Sequence, residues 1–252
     1  MINRKLIDIM NTQKKAVIMG ASSGIGLEVT RLLIAQGWHV GIAARRAELL
    51  DALQREFPQQ VVTQTIDVTR DEAPQQLLQL VERLGGMSLY FHASGIGKQN
   101  RPLEPAIETD TVHTNALGFT RLIDTAFNYF AANGGGHIAA ITSIAGTKGL
   151  GPAPSYSATK AFQNVYLQSL EQLANARRLN IRFTDLRPGF VDTALLNDNY
   201  HYPLMLRPER VAREMVAAIE NHRHVRVIDW RWRIITACWR RIPRFVWRRL
   251  RL

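Results

Sequence analysis

Between the apolar run Lys15–Met19 and the amphipathic stretch Ile25–Gln36 lies Gly20-Ala21-Ser22-Ser23-Gly24-Ile25-Gly26, a glycine loop joining a β-type pattern to a helical one. Glycine lets backbone approach a dinucleotide closely, and the free N–H groups at a helix start attract negative charge. The spacing is G-x-x-x-G-x-G, not the G-x-G-x-x-G of the commoner dinucleotide fingerprint. By itself such a loop also fits a tight turn that packs a helix on a strand. Placement after a strand and before a helix restricts the chain more than the glycines do.

The same alternation continues downstream. The apolar or β-branched runs Val40–Ala44, Val61–Asp67, Leu89–His92, His137–Thr142, Ile181–Leu186 and Val225–Ile228 read as strands. Helical patterns occupy Ala47–Phe57, Ala73–Leu84, Thr111–Ala132, Tyr156–Arg177 and Pro208–Asn221. Asn133-Gly134-Gly135-Gly136 stops the pattern over Thr111–Ala132. Strands alternating with helices predict a single α/β domain over residues 14–228, a doubly wound parallel sheet of Rossmann type. Residues 1–13 read as a leader and 229–252 as a tail.

The end of the second strand bears on which dinucleotide fits. A chain selecting NAD(H) places a carboxylate there for the ribose hydroxyls. Here the strand ends Ala43-Ala44-Arg45-Arg46. Guanidinium groups suit a 2′-phosphate through charge and paired hydrogen bonds. Arg45 is the main candidate and Arg46 a second phosphate ligand or an adenine stacking partner, which predicts NADP(H) in preference to NAD(H). Solvated arginines at a helix start are the plainer reading. Asp67 and Val68 end the third strand where adenine would lie; an Asp capping the next turn explains Asp67 equally well.

Tyr156 and Lys160 stand one helical turn apart on one face. A free tyrosine has a pKa near ~10, and a neighbouring ammonium is expected to lower it. The pair then suits proton transfer at a substrate oxygen. Tyr-x-x-x-Lys alone also occurs on solvated helix faces. Ser143, just past the fifth strand, lies where open α/β sheets bind ligands and can bond the same oxygen. Asn115, within a long helix, can hold a water connected to Lys160 if that helix is kinked. Arg187-Pro188-Gly189-Phe190-Val191-Asp192-Thr193 follows the sixth strand as a turn able to close over a nicotinamide.

In this order, the glycine loop, Asp67, Asn115, Ser143, Tyr156/Lys160 and Pro188-Gly189 resemble the short-chain dehydrogenase/reductase superfamily across roughly residues 14–228. The resemblance implies a seven-stranded parallel sheet and a catalytic tetrad of Asn115, Ser143, Tyr156 and Lys160. Ser143 would orient a carbonyl and Tyr156 donate the proton. Lys160 would bond the nicotinamide ribose and Asn115 hold a relay water. Cofactor contacts are expected from Gly20, Ser22, Ser23, Gly24, Ile25, Gly26, Ala93, Gly95, Pro188, Gly189, Val191 and Thr193, besides Arg45, Arg46, Asp67, Val68, Tyr156 and Lys160. Two departures stand out. The glycine motif is preceded by Met19 where the family has Thr, and His92-Ala93-Ser94-Gly95 replaces its Asn-Asn-Ala-Gly.

The remaining features concern partners. Residues 231–252 hold eight arginines and no acidic residue, so most of the net charge of +11 sits in the tail. Drawn as a kinked helix, the tail gathers Trp232, Ile235, Trp239, Ile242, Val246 and Leu250 on one side. Arg233, Arg240, Arg241, Arg244, Arg248 and Arg251 gather largely opposite, with Pro243 at the kink. This pattern fits a peripheral membrane helix, or an apolar side packed on the body or on another subunit. Nucleic acid rests on tail charge alone and is the least supported partner. No stretch approaches the roughly 20 apolar residues of a spanning helix. The only cysteine, Cys238, reads as an apolar filler and fits a reducing cytoplasm. The seven histidines lack metal-ligand spacing, so no metal is expected. Residues 194–207 read as a substrate lid favouring an apolar carbonyl or alcohol. The resemblance implies a homodimer or homotetramer through the long helices. A non-catalytic NADP(H)-binding scaffold with a membrane-surface tail is the rival reading.

Overall fold

Short runs buried on both faces make parallel strands with helices on each side. The computed structural model describes residues 14–196, 200 and 202–250; the leader 1–13 and Arg251 lie outside the described residues. The strands are β1 Lys15–Met19, β2 His39–Ala44, β3 Val61–Thr65, β4 Leu89–His92, β5 Gly136–Ile141, β6 Ile181–Pro188 and β7 Val225–Ile228. They form one sheet in the order β3-β2-β1-β4-β5-β6-β7, every neighbouring pair parallel. The order reverses between β1 and β4, and the crevice beyond their carboxyl ends is where such sheets bind ligands.

Two apolar layers fill the faces. On one side α1 (Gly24–Ala35), α2 (Ala47–Glu56) and α7 (Pro208–Glu220) bury Leu33, Leu50 and Met215 against Ile18, Ile42 and Leu186. On the other, α3 (Ala73–Leu84), α5 (Phe119–Ala132) and α6 (Pro154–Ala176) bury Leu77, Phe119 and Leu167 against Val17, Tyr90 and Ile138.

The long helical pattern expected over Thr111–Ala132 divides. Helix α4 (Pro105–Val112) runs into a π-helical turn, His113–Gly118, before α5. Helix α6 begins at Pro154, two residues before Tyr156, because proline at the first helical positions needs no N–H partner.

The tail is not one kinked helix. Helix α8 (Trp230–Trp239) ends before Pro243, and a separate short α9 spans Arg244–Trp247. The break resets which side faces inward. Trp232 is buried among core residues, with Ile235 and Trp239 packed against the same layer. Beyond the proline Trp247 takes the inner position, beside Trp239 at 5.9 Å between ring centroids. Val246 and Leu250, expected on the apolar side, are exposed. Cys238 is exposed on α8 and fills no apolar gap, a correction to the expectation from sequence. No helix among the described residues is long and apolar enough to cross a membrane.

Candidate active site

The carboxyl ends of the strands open into a cavity of about 990 Å³. Every residue expected from the sequence to take part in cofactor binding or catalysis lines it except Asn115, which is fully buried.

At the cofactor end, Gly20 turns at φ +91°, and a Cβ there would sit 2.7 Å from the Ser94 nitrogen. Only glycine brings the loop this close to the segment after β4. Ser23 precedes α1 without capping it through its side chain. Its hydroxyl instead accepts from the Arg46 guanidinium at 2.7 Å, and Ser22 accepts from the same nitrogen at 2.9 Å. The second arginine is therefore the one held over the glycine loop. Arg45 is exposed, and its charge acts on Asp67. The side-chain direction that separates the two is a matter of packing that strand spacing does not contain.

Asp67 does cap its turn: Oδ1 accepts from the Thr69 backbone N–H at 3.0 Å and hydroxyl at 2.8 Å. Burial pushes its carboxyl up, but these two bonds with the charges of Arg45 and Arg70 leave it below the ordinary range. It also faces the cavity, so capping and lining coexist.

At the reaction end, Ser143 precedes a short 3-10 turn, Ile144–Thr147, and its Oγ accepts from the Ala145 N–H at 3.0 Å. The same hydroxyl faces the Tyr156 phenol closely enough to act on its pKa. Burial raises the Tyr156 pKa, and Ser143 opposes that rise. The lowering expected from Lys160 is not found. The Lys160 ammonium sits 5.7 Å from the Tyr156 ring centroid and spends its bonds on the Ile141 carbonyl (3.1 Å) and Gln163 Oε1 (2.9 Å). Removing the phenolate from water outweighs its distant field. Tyr156 consequently holds its proton at neutral pH, the state of a proton donor. Burial lowers Lys160 to about 8, and the buried Asp185 carboxylate opposes the fall.

Asn115 sits inside the π-helical turn. Its side chain clasps Ile96 from both ends, accepting from the N–H at 2.9 Å and donating to the carbonyl at 2.6 Å. Its own backbone carbonyl accepts from Gln163 Nε2 at 2.8 Å. A buried glutamine thus links Lys160 to Asn115 by two direct hydrogen bonds. Gln163 was not legible as a site residue, since it reads as an interior polar residue three places after Lys160. Among the described residues no group of three His, Cys, Asp or Glu is placed to hold a metal ion.

The short chain dehydrogenase family model matches residues 14–202. The chain belongs to the short-chain dehydrogenase/reductase family. A protein described as an uncharacterised oxidoreductase of Mycobacterium tuberculosis is 30% identical over 228 residues, covering 87% of this chain and 89% of that one. Another, from Myxococcus xanthus, is 28% identical over 200 residues, covering 77% and 78%. Among solved structures, an actinorhodin polyketide ketoreductase with NADPH superposes with a TM-score of 0.75 at 25% identity, over 86% of this chain and 95% of that one. A Streptomyces avermitilis short-chain dehydrogenase at 20% identity shares the fold, with a TM-score of 0.78 over 90% and 92%. This family member is an oxidoreductase of carbonyl and alcohol groups.

Against the family pattern, His92 takes the place of a polar tie between central strands. It is fully buried, its Nδ1 within 2.9 Å of the Tyr90 hydroxyl and its ring edge-on to Phe119 at 5.1 Å. Burial first and the Lys160 charge second lower its pKa to about 3. His137, buried beside His222 and Arg182, falls to about 4. Above about pH 6.5 such histidines are neutral both folded and unfolded and contribute nothing to pH dependence. Below it the unfolded chain binds protons that the fold refuses, so stability falls as the pH drops toward 3–4. Each contributes about 1.4 kcal/mol per pH unit at most. Urea unfolding of His92→Asn between pH 7 and 4 should show a shallower loss than the parent chain; equal slopes would remove His92 as a cause.

The tail reaches the same cavity. Trp232, Ile235, Trp239 and Trp247 line it together with Tyr200, Tyr202, Pro203 and Leu204 of the expected lid. Residues 197–199 and 201 of the expected lid lie outside the described residues. Trp232 packs over the Pro188-Gly189 turn so tightly that a Cβ on Gly189 would fall 2.1 Å from its Nε1. That indole N–H is buried without a hydrogen-bond partner. Trp239 donates to Thr147 Oγ1 at 2.7 Å and Trp247 to the Gly149 carbonyl at 2.8 Å. These tryptophans read from sequence as a separate amphipathic tail, because their partners lie about 40 to 100 positions upstream.

Proposed function

We propose that the enzyme reduces a carbonyl to an alcohol with NADPH, Tyr156 donating the proton. The observation that carries this reading is the Tyr156 phenol, kept protonated through burial and lining one cavity with Ser143 and Lys160 at the carboxyl end of the sheet. When bound, the nicotinamide supplies the hydride. Ser143 would hold the carbonyl oxygen beside the phenol, and Lys160, held by Ile141 and Gln163, would bond the nicotinamide ribose. Gln163 bridges Lys160 to the Asn115 carbonyl by direct hydrogen bonds. The reverse oxidation uses the same groups with the proton moving back to Tyr156.

The donor set fits the phosphate-bearing cofactor. Gly20 and Gly24 both hold positive φ in the loop, and Arg46 is oriented by Ser22 and Ser23 before any ligand arrives. The ketoreductase neighbour with NADPH supports the same choice. Charge-assisted hydrogen bonds to phosphate are worth about 1.5–3 kcal/mol, or roughly ten- to a hundredfold in affinity. Arg46→Ala should therefore weaken NADPH by that factor and leave NADH nearly unchanged. Arg45→Asp should shift the ratio the same way through repulsion. Dissociation constants from nicotinamide fluorescence check both, and an unchanged NADPH/NADH ratio in the two variants refutes the assignment.

Two further parts of the reading concern partners. Val112, Leu117, Phe162 and Val165 are exposed apolar residues on or beside the long helices α4–α6. They support a homodimer or homotetramer through those helices, which light scattering of the full chain measures. Trp230, Ile234 and Phe245 are more than half exposed on the tail, at 58%, 56% and 65%, among its arginines. That mixture supports peripheral contact with an anionic membrane; failure to sediment with phosphatidylglycerol vesicles removes it.

A further inference from the structure

A second cavity of about 980 Å³ adjoins the first, and Arg101, Pro152 and Trp247 line both. Lys148, Arg240, Arg244 and Arg248 complete its cationic lining, and no carboxylate lines it among the described residues. Arg240, Arg244 and Arg248 are exposed and make no ion pair with any carboxylate among the described residues. Like charges gathered in one place repel one another, and a concave wall concentrates their field on whatever enters.

The walls between the arginines are fixed. Lys148 donates to the Ile242 carbonyl at 2.8 Å and stands 5.5 Å over the Trp247 ring. Trp247 is tied in turn to Gly149. From Trp247 the first cavity runs along Trp239 and Trp232, with successive centroids 5.9 and 6.5 Å apart. This aromatic row joins the cationic recess to the cavity that holds Tyr156.

We infer that the second cavity binds a phosphate group carried by the substrate itself, whose apolar body lies along the tryptophan row with its carbonyl at Tyr156. This rests on the carbonyl-reductase reading and adds the substrate class, an amphiphile with a phosphate head. Guanidinium groups match phosphate oxygens in charge and in paired geometry, and flat aromatic faces suit an apolar chain.

Calorimetry on the full chain saturated with NADPH tests it with decyl phosphate, decanol and inorganic phosphate. Decyl phosphate should bind at least about tenfold more tightly than decanol, a gain of about 1.4 kcal/mol. Inorganic phosphate should bind far more weakly than decyl phosphate. The triple variant Arg240→Gln, Arg244→Gln, Arg248→Gln should lose the advantage of the phosphate. In the unaltered chain, added salt should weaken decyl phosphate and spare decanol, a measurement that needs no variant. Equal binding of decyl phosphate and decanol, or an unaffected triple variant, overturns the site. Inorganic phosphate binding as tightly as decyl phosphate overturns the amphiphile. Phosphatidylglycerol vesicles identify the other source of phosphate. If the triple variant loses vesicle binding but keeps decyl phosphate, the arginines serve a membrane and the proposal fails. Binding does not require turnover: a chain that binds decyl phosphate but reduces no carbonyl refutes the reductase reading, not the anion site. A chain that reduces neutral ketones but shows no preference for decyl phosphate refutes the site alone.

Discussion

Tyr156→Phe is expected to lower kcat for carbonyl reduction by about three orders of magnitude while NADPH binds with nearly unchanged affinity. The substitution deletes one hydroxyl and keeps the ring at the start of α6. General acid catalysis by a positioned group is worth about a hundred- to ten-thousandfold. This phenol keeps its proton through burial, so its removal takes away a donor already in the required state. Ser143 remains bonded to the Ala145 N–H and can still hold the carbonyl oxygen, but a serine hydroxyl is a far weaker acid. Stopped-flow reduction under NADPH saturation separates the proton-transfer step from product release, and a cofactor titration checks that the site is intact. Turnover within tenfold of the parent chain would mean that the proton comes from another group. A chain that binds NADPH but never turns over, in either form, would favour the scaffold reading.

The outcome is sharpened by what surrounds the tyrosine. Lys160 is committed to Ile141 and Gln163, and Gln163 to the Asn115 carbonyl. The π-helical turn supplies that carbonyl: an extra residue in the turn disrupts the regular i→i−4 ladder and leaves a backbone acceptor for a side chain from α6. The irregularity expected near Asn115 is this π-helical turn, and Gln163 connects it to Lys160.

Strands were legible where β-branched runs lay between glycine stops, as in β1 and β5, because a twice-buried strand must be apolar along its length. Tyr156 and Lys160 were legible because one helical turn is a fixed spacing. Ser143 joined them because the end of β5 and the start of α6 face one crevice. What was not legible shares a different cause. Choosing between Arg45 and Arg46 requires the rotamer that reaches Ser22 and Ser23. The rise in the Tyr156 pKa requires its depth, and chain spacing contains only the nearby lysine. In the tail, the helical wheel assumed one register through Pro243, whereas the break turns Trp247 inward and Val246 and Leu250 outward. Gln163 and Trp232 act through partners far away in sequence, and no local pattern marks them.

Trp232 gives the second large effect. At 4% exposed it belongs to the same apolar layer as α1 and α7, so it is a core residue carried on the tail. Phe190 meets it edge-on at 5.3 Å and Gly189 has no side chain to keep it away. Trp232→Ala should cost about 3–5 kcal/mol, the usual range for emptying a buried aromatic site. For a domain of this size each kcal/mol moves Tm by about 2–4 °C, so a fall of about 10 °C is expected by calorimetry. Ending the chain at Ile228 should do at least as much, because it also removes Asp229, whose buried carboxylate pairs with Arg210 at 3.2 Å. Trp232→Phe distinguishes packing from hydrogen bonding. It keeps most of the ring and deletes an N–H that has no partner in the fold, so stability should stay within about 1 kcal/mol of the parent. If that N–H is aimed at cofactor or substrate, the same variant raises KM or the NADPH dissociation constant without lowering Tm. If Trp232→Ala unfolds at the parental temperature, the tail is a separable appendage and the cavity wall it forms is not part of the catalytic body.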